Sequence, residues 1–296
     1  MSAIATAPID NNDTTSDITS TAAARPSAHK PATLAKAQTL GRVINSEWIK
    51  LRTLRGTWLG HGAAVLLLIG IGAIAAAVAT GSVTSPDDDG SGFGGTGALD
   101  TVLTGANFGV LLLGVLGCLV GAREYGSRMI TATIAAAPRR WQVLVAKAVT
   151  LTGVALSTAM IGVFGAFGVG MAILANGDAA TVSLGDDGVL GTLVGMGLYL
   201  TAVSLLGLAL GVLLRSAAAS IGVLVGGLLI LPGIAGALLP DSLDSVLQLL
   251  PTNAASAFTA VQGETTMGAA GGALTLAVWV VAALVGATVA IVRRDV

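Results

Sequence analysis

Six stretches of this chain, 56–86, 101–122, 148–177, 188–214, 216–240 and 265–292, contain no Asp, Glu, Lys or Arg. Each is long and apolar enough to cross a hydrocarbon core of about 30 Å as a helix, which takes roughly 20 residues. Threading the chain six times with the N-terminus inside puts all 15 Lys and Arg residues on the inner side. The outer connections then carry Asp87, Asp88, Asp89, Asp100, Asp178, Asp186, Asp187, Asp241, Asp244 and Glu264, with no basic residue. Basic residues set membrane orientation, and here their segregation has no exception. The expected fold class is an all-α, polytopic membrane protein with six transmembrane helices.

Composition agrees. The chain is 54 % hydrophobic and 10 % charged, with a mean hydropathy of +0.85. The continuous apolar runs argue against a β-barrel, since barrel strands alternate polar and apolar residues. The 41 glycines suit membrane helices, whose backbones approach closely at small residues. A net charge of −1 gives no reason to expect nucleic acid as a partner. The one cysteine, Cys118, falls within an apolar run and reads as a small packing residue. The first apolar run starts too late for a cleaved leader, so none is expected.

Residues 1–39 are rich in Ser, Thr, Ala, Asp and Pro and read as a disordered cytoplasmic tail ahead of the 40–296 membrane domain. From Leu40 onward, Leu40, Val43, Ile44, Trp48, Leu51, Leu54 and Trp58 recur at three- and four-residue spacing. Arg42, Glu47, Lys50, Arg52 and Arg55 lie largely between them. That pattern predicts an N-terminal interfacial amphipathic helix with a basic face. The spans are expected near 58–80, 103–122, 147–175, 189–213, 217–239 and 268–292, the fifth kinked or ended at Pro232. GxxxG spacing occurs at Gly117/Gly121, Gly191/Gly195, Gly207/Gly211 and Gly222/Gly226. Residues 245–263 are uncharged but too polar and broken for a seventh span; 240–266 is expected to dip into the outer leaflet or lie on it.

Several chemistries are absent. No GxxxxGK[ST] occurs, so no Walker A loop is present. Gly92, Gly94 and Gly97 match GxGxxG but follow three aspartates in an outer loop, where a flexible loop is the better reading. Two separated histidines and one cysteine speak against a zinc site, and no cofactor is expected. His61 is expected in the wet interface. Lys147 opens the third span and is expected to snorkel to the surface. No ionisable residue lies deep in a span, which counts against ion-coupled transport. Energy is therefore expected to come from another polypeptide, and the chain itself is not expected to be an enzyme.

The inner loop 123–141 reads Arg123-Glu124-Tyr125-Gly126-Ser127-Arg128-Met129-Ile130-Thr131-Ala132-Thr133-Ile134-Ala135-Ala136-Ala137-Pro138-Arg139-Arg140-Trp141. A short helix from about Arg128 to Ala137, stopped by Pro138, is expected there, with small residues able to seat in a partner's groove. The Glu124 carboxylate is expected to pair with Arg128, Arg52 or Arg55.

Three pieces then carry a family likeness: Ser46-Glu47-Trp48-Ile49-Lys50-Leu51-Arg52; Glu124-Tyr125 followed by Ile130, Thr133, Ala135–Pro138, Arg139, Arg140 and Lys147; and Arg293-Arg294-Asp295. Over 40–296 the chain resembles ABC-2 type permease subunits of actinobacterial ABC exporters. It departs from them at Arg128, where glycine is usual, and at Thr131, where a basic residue is common. The resemblance implies a permease that works as a homo- or heterodimer in the bacterial cell membrane, both termini cytoplasmic, each half docking a separate ATP-binding subunit. It implies that 40–57 is a connecting helix, with Trp48, Lys50, Arg52 and Arg55 in the interface. It makes 123–141 the coupling loop, with Arg123, Glu124, Tyr125, Arg128, Ile130, Thr133, Pro138, Arg139 and Arg140 facing the partner, and 240–266 a capping segment. An ion-coupled secondary transporter and a non-transporting membrane scaffold or sensor remain the alternative classes. The apolar spans favour a hydrophobic or amphipathic cargo.

Overall fold

Leu54 splits what the sequence reads as one basic helix. In the computed structural model, which describes residues 39–83, 97–126, 140–238, 240, 244–259 and 267–293, α1 (Leu40–Thr53) ends one residue earlier. Leu54 takes an extended backbone, φ −84° and ψ 100°, and α2 (Arg55–Ala79) begins directly after it. The helix expected over 40–57 is therefore an elbow, and Arg55 and Trp58 belong to the first span. The 1–39 tail lies outside the described residues except for Thr39, which precedes α1.

After α2 come α3 (Ala98–Val102), α4 (Gly105–Gly126), α5 (Arg140–Asn176), α6 (Val189–Leu214) and α7 (Ala217–Val225). A π turn, Gly226–Ile230, leads from α7 into α8 (Leu231–Leu238). The chain ends with α9 (Asp244–Leu247), α10 (Pro251–Thr259) and α11 (Ala269–Arg293). Every regular element among the described residues is helical. Six helical runs, α2, α4, α5, α6, the joined α7–α8 and α11, are long and apolar enough to cross a membrane. The protein is a six-span membrane protein, and each expected span lies on one of these runs.

The bundle is built around α4 and α6. About two thirds of each of their apolar windows (67 %) is buried, against 17 % for α7–α8 and for α11. Glycines make that centre. A Cβ on Gly117 would sit 2.0 Å from the Ser204 carbonyl oxygen, and one on Gly121 2.4 Å from that of Leu208. In return, a Cβ on Gly207 would sit 2.2 Å from the Gly114 carbonyl oxygen and one on Gly211 2.5 Å from that of Cys118. Lipid gives helices no hydrophobic reason to associate, so backbone contact through small residues has to supply the attraction. Two of the four GxxxG pairs, Gly117/Gly121 and Gly207/Gly211, thus form the α4–α6 seam. Gly222 and Gly226 face open space. Leu68 of α2 is 1 % exposed and fills a socket formed by Gly105 and Gly109 of α4 and Gly162 of α5.

Pro232 neither ends nor sharply truncates the fifth span. The π turn lies just ahead of it and absorbs the irregularity. Proline has no N–H to give the carbonyl one turn back. That carbonyl, Leu228, instead accepts a 3.0 Å hydrogen bond from Thr252 Oγ1 at the start of α10. Trp279 Nε1 of α11 donates to the Leu249 carbonyl at 2.8 Å. Leu228 lies ten residues before Leu238, and Trp279 ten residues after Ala269. At about 1.5 Å per residue, the 249–252 turn therefore reaches roughly 15 Å in from that end of the bundle. The 249–252 turn is thus tied to α11 and to the joined α7–α8 span part-way along the bundle. Helix α10 itself packs closely on Gly195 of α6 through Phe258 and on Gly272 of α11 through Ala254. The α5–α6 loop is tied differently: Ser183 donates its backbone N–H at 2.8 Å and its hydroxyl at 2.9 Å to the Asp186 carboxylate. These bonds hold the Asp186 carboxyl below its usual pKa.

Candidate functional site

The charged residues of interest gather at the end of the bundle where α1, the start of α2, the end of α4 and the start of α5 meet. Helix α1 turns Val43, Glu47 and Leu51 inward, a stripe at four-residue spacing that packs on α5. Glu47 is only 2 % exposed. A carboxylate at that burial is costly unless paired. Its Oε2 accepts from Lys147 Nζ of α5 at 2.8 Å, and its Oε1 from Lys50 Nζ at 2.6 Å. Lys147, itself 7 % exposed, does not snorkel outward. Helix α5 begins at Arg140 rather than at Lys147, so the ammonium stands two turns inside the helix and reaches α1.

The elbow has its own clamp. Trp58 Nε1 donates to the Arg52 carbonyl at 3.2 Å, tying the first turn of α2 back to the last turn of α1. One turn on, His61 is 3 % exposed and its Nδ1 meets the Thr57 carbonyl at 2.8 Å. A carbonyl can only accept, so Nδ1 carries the proton. The expectation that His61 sits in the wet interface is corrected: the side chain is packed between α2 and α5. A shallow cavity of about 270 Å³ lies beside it, walled by Trp48, Trp58, Val65, Val154 and Ile161.

A second tie joins the ends of α4 and α6. The Arg215 guanidinium lies over the Tyr125 ring, 5.1 Å from its centroid. Arg215 takes a left-handed backbone conformation, φ 54°, and closes α6 through its N–H to the Gly211 carbonyl at 3.1 Å. Non-glycine residues adopt this conformation at a cost of about 1–2 kcal/mol, which the cation–π contact helps to offset. Further along the bundle, α6, α10 and α11 bound an open apolar groove of about 570 Å³ lined by Leu190, Val194, Leu198, Phe258 and Leu276.

Among the residues singled out from the sequence, the structure brings Trp48, Lys50, Arg52 and Arg55 together around the elbow. Arg123 is exposed on the last turn of α4, and Tyr125 lies under Arg215. Glu124 and Arg140 belong to α4 and α5, but their side chains lie outside what is described, as do Arg128, Ile130, Thr133, Pro138 and Arg139 altogether. The pairing expected for Glu124 therefore falls outside the described residues. The buried carboxylate that the structure does describe is Glu47. Its signal was present: Glu47 shares the i, i+4, i+8 stripe of Val43 and Leu51, and Lys147 is the one charge between Arg140 and Asp178. Comparison with protein-family models and with curated proteins finds no match.

Proposed function

We propose that this chain is the membrane-spanning permease subunit of an ATP-binding cassette exporter of the ABC-2 type. In this reading it works as a dimer in the bacterial cytoplasmic membrane, with both termini inside. A separate ATP-binding subunit docks on 123–141 through Arg123, Glu124, Tyr125, Arg128, Ile130, Thr133, Pro138, Arg139 and Arg140. The cargo is apolar or amphipathic, matching the apolar spans.

The observation that supports the reading most is the buried Glu47–Lys147 pair. Helix α5 starts at Arg140, where the proposed coupling segment ends. A push on that segment is delivered to the base of α5. The pair passes it to α1, and the Leu54 elbow passes it to the first span. Nucleotide-dependent contacts at the segment then shift the balance between inward- and outward-open arrangements, by no more than their differential affinity for the two.

The test first looks for an ATP-binding cassette subunit encoded beside this chain and co-expresses the two. The purified chain alone is expected to show no ATPase activity. The co-purified complex is expected to hydrolyse ATP and to lose that activity when the partner's catalytic residue is changed. Hydrolysis by the chain alone, unaffected by the partner's catalytic variant, would overturn the proposal.

A further inference from the structure

The face of α2 that carries Arg55, Leu59, Gly62, Ala63 and Leu66 is not covered by protein among the described residues. Together with Arg52 and Trp58 these residues bound a groove of about 650 Å³. Its two ends differ chemically. At the elbow stand Arg52, in the last turn of α1, and Arg55, the first residue of α2, both exposed. Among the described residues no carboxylate pairs with either guanidinium. Below them the lining is apolar. Leu59 and Leu66 stand out at 74 % and 73 % exposure. Between them Gly62 leaves a notch, since a Cβ there would meet no atom within 4 Å.

The dimensions select the occupant. From Arg55 to Leu66 is eleven residues, roughly 16 Å of helix at about 1.5 Å per residue. Half of a hydrocarbon core of about 30 Å is about 15 Å. The groove thus runs from headgroup level to about the bilayer midplane, the length of one acyl chain in one leaflet. The guanidiniums sit where a phosphate lies, and guanidinium binds phosphate as a two-toothed fork. The Trp58–Arg52 bond ties together the elbow that carries both arginines.

We propose that this groove is a discrete site for one anionic phospholipid. Its phosphate is held by Arg52 and Arg55, and one acyl chain lies along Leu59, Gly62, Ala63 and Leu66. The charge complementarity favours a lipid over a second protein copy, which would have to bring carboxylates to headgroup level. The site does not depend on the exporter reading, because it is defined by the elbow and the first span alone.

The test uses the full chain, reconstituted in nanodiscs of phosphatidylglycerol and phosphatidylcholine with identical chains. Retained lipid is counted by native mass spectrometry after mild detergent transfer. The wild-type protein is expected to retain phosphatidylglycerol preferentially. Arg52→Gln and Arg55→Gln are each expected to lower that preference about fivefold, the ratio that about 1 kcal/mol per basic residue at the surface gives. Gly62→Phe, placed into open space, is expected to lower retention of the lipid with both arginines intact. Equal retention of the two lipids by the wild type would overturn the site and leave ordinary boundary lipid. A preference that survives the double Arg52→Gln/Arg55→Gln change would also overturn it. So would a Gly62→Phe variant whose oligomeric state changes while its lipid retention does not, since the groove would then be covered by a second copy.

Discussion

Glu47 Oε2 accepts from Lys147 Nζ at 2.8 Å across 100 residues of sequence, and both side chains are almost completely buried. This bond ties α1 to α5, together with the buried Val43 and Leu51 on the same stripe. The same carboxylate also holds Lys50, whose side chain is 35 % exposed.

The arrangement predicts an asymmetric response to mutation. Glu47→Ala strands a buried ammonium and is expected to cost about 3–5 kcal/mol, the usual loss when one partner of a buried pair is removed. Lys147→Ala is expected to cost less, because Lys50 still satisfies Glu47. Replacing both, Glu47→Leu with Lys147→Met, is expected to recover most of the wild-type stability, since an apolar pair of similar size carries no desolvation cost. Thermal unfolding in detergent measures all three. If the double variant melts as low as Glu47→Ala, the pair is not the source of the stabilisation.

The α4–α6 seam makes a second prediction. Gly117→Ala drives a methyl group into the Ser204 carbonyl, 2.0 Å away, with backbone on both sides and no side chain able to yield. A loss of about 1–3 kcal/mol is expected, as for overpacked cores. Gly222→Ala adds the same methyl to open space. It is expected to be neutral or to stabilise by up to about 1 kcal/mol, the propensity gap between glycine and alanine in a helix. Equal melting temperatures for the two variants would remove the seam from the account of how the bundle holds together.

Much of this architecture was legible in the chain. A run of apolar residues without charge has one stable fate in a bilayer, so the six spans follow from composition alone. Pairing between helices did not follow in the same way. All four GxxxG pairs look alike in sequence, yet Gly117/Gly121 and Gly207/Gly211 meet backbone while Gly222/Gly226 meet nothing. Which glycine faces which helix depends on the rotation of each helix about its axis, and the neighbours set that. Lys147 shows a related limit. Its place near a predicted span end made outward snorkelling plausible, but α5 extends to Arg140 and the partner carboxylate comes from a distant helix. His61 was misplaced because its burial comes from packing against α5, which local sequence does not encode.

Orientation is open to a direct test. The segregation of all 15 basic residues predicts the α5–α6 loop outside and the α6–α7 junction inside. Cys118 is fully buried, so a Cys118→Ala background is expected to be tolerated. In that background, Asp187→Cys is expected to react with an impermeant maleimide in intact cells. Ala218→Cys, also exposed in the structure, is expected to react only after the cells are opened. Reaction of the second cysteine from outside would reverse the assigned topology.

The 249–252 turn carries the last prediction. Pro232 cannot donate to the Leu228 carbonyl, and Thr252 Oγ1 fills that role at 3.0 Å. The span's irregularity and the position of α10 are therefore one device. Thr252→Val removes the donor at constant shape and is expected to destabilise the protein by about 1–2 kcal/mol, in the range of hydrogen bonds between membrane helices. Thr252→Ser keeps the hydroxyl and is expected to cost less. Pro232→Ala restores a backbone N–H to the span, so Thr252→Val should matter less in that background. The difference between the two effects is the coupling energy of a double-mutant cycle. A positive coupling of several tenths of a kcal/mol or more is expected from residues linked through one carbonyl. Strict additivity would show that Thr252 holds α10 by other contacts, and that the π turn at Gly226–Ile230 stands without it.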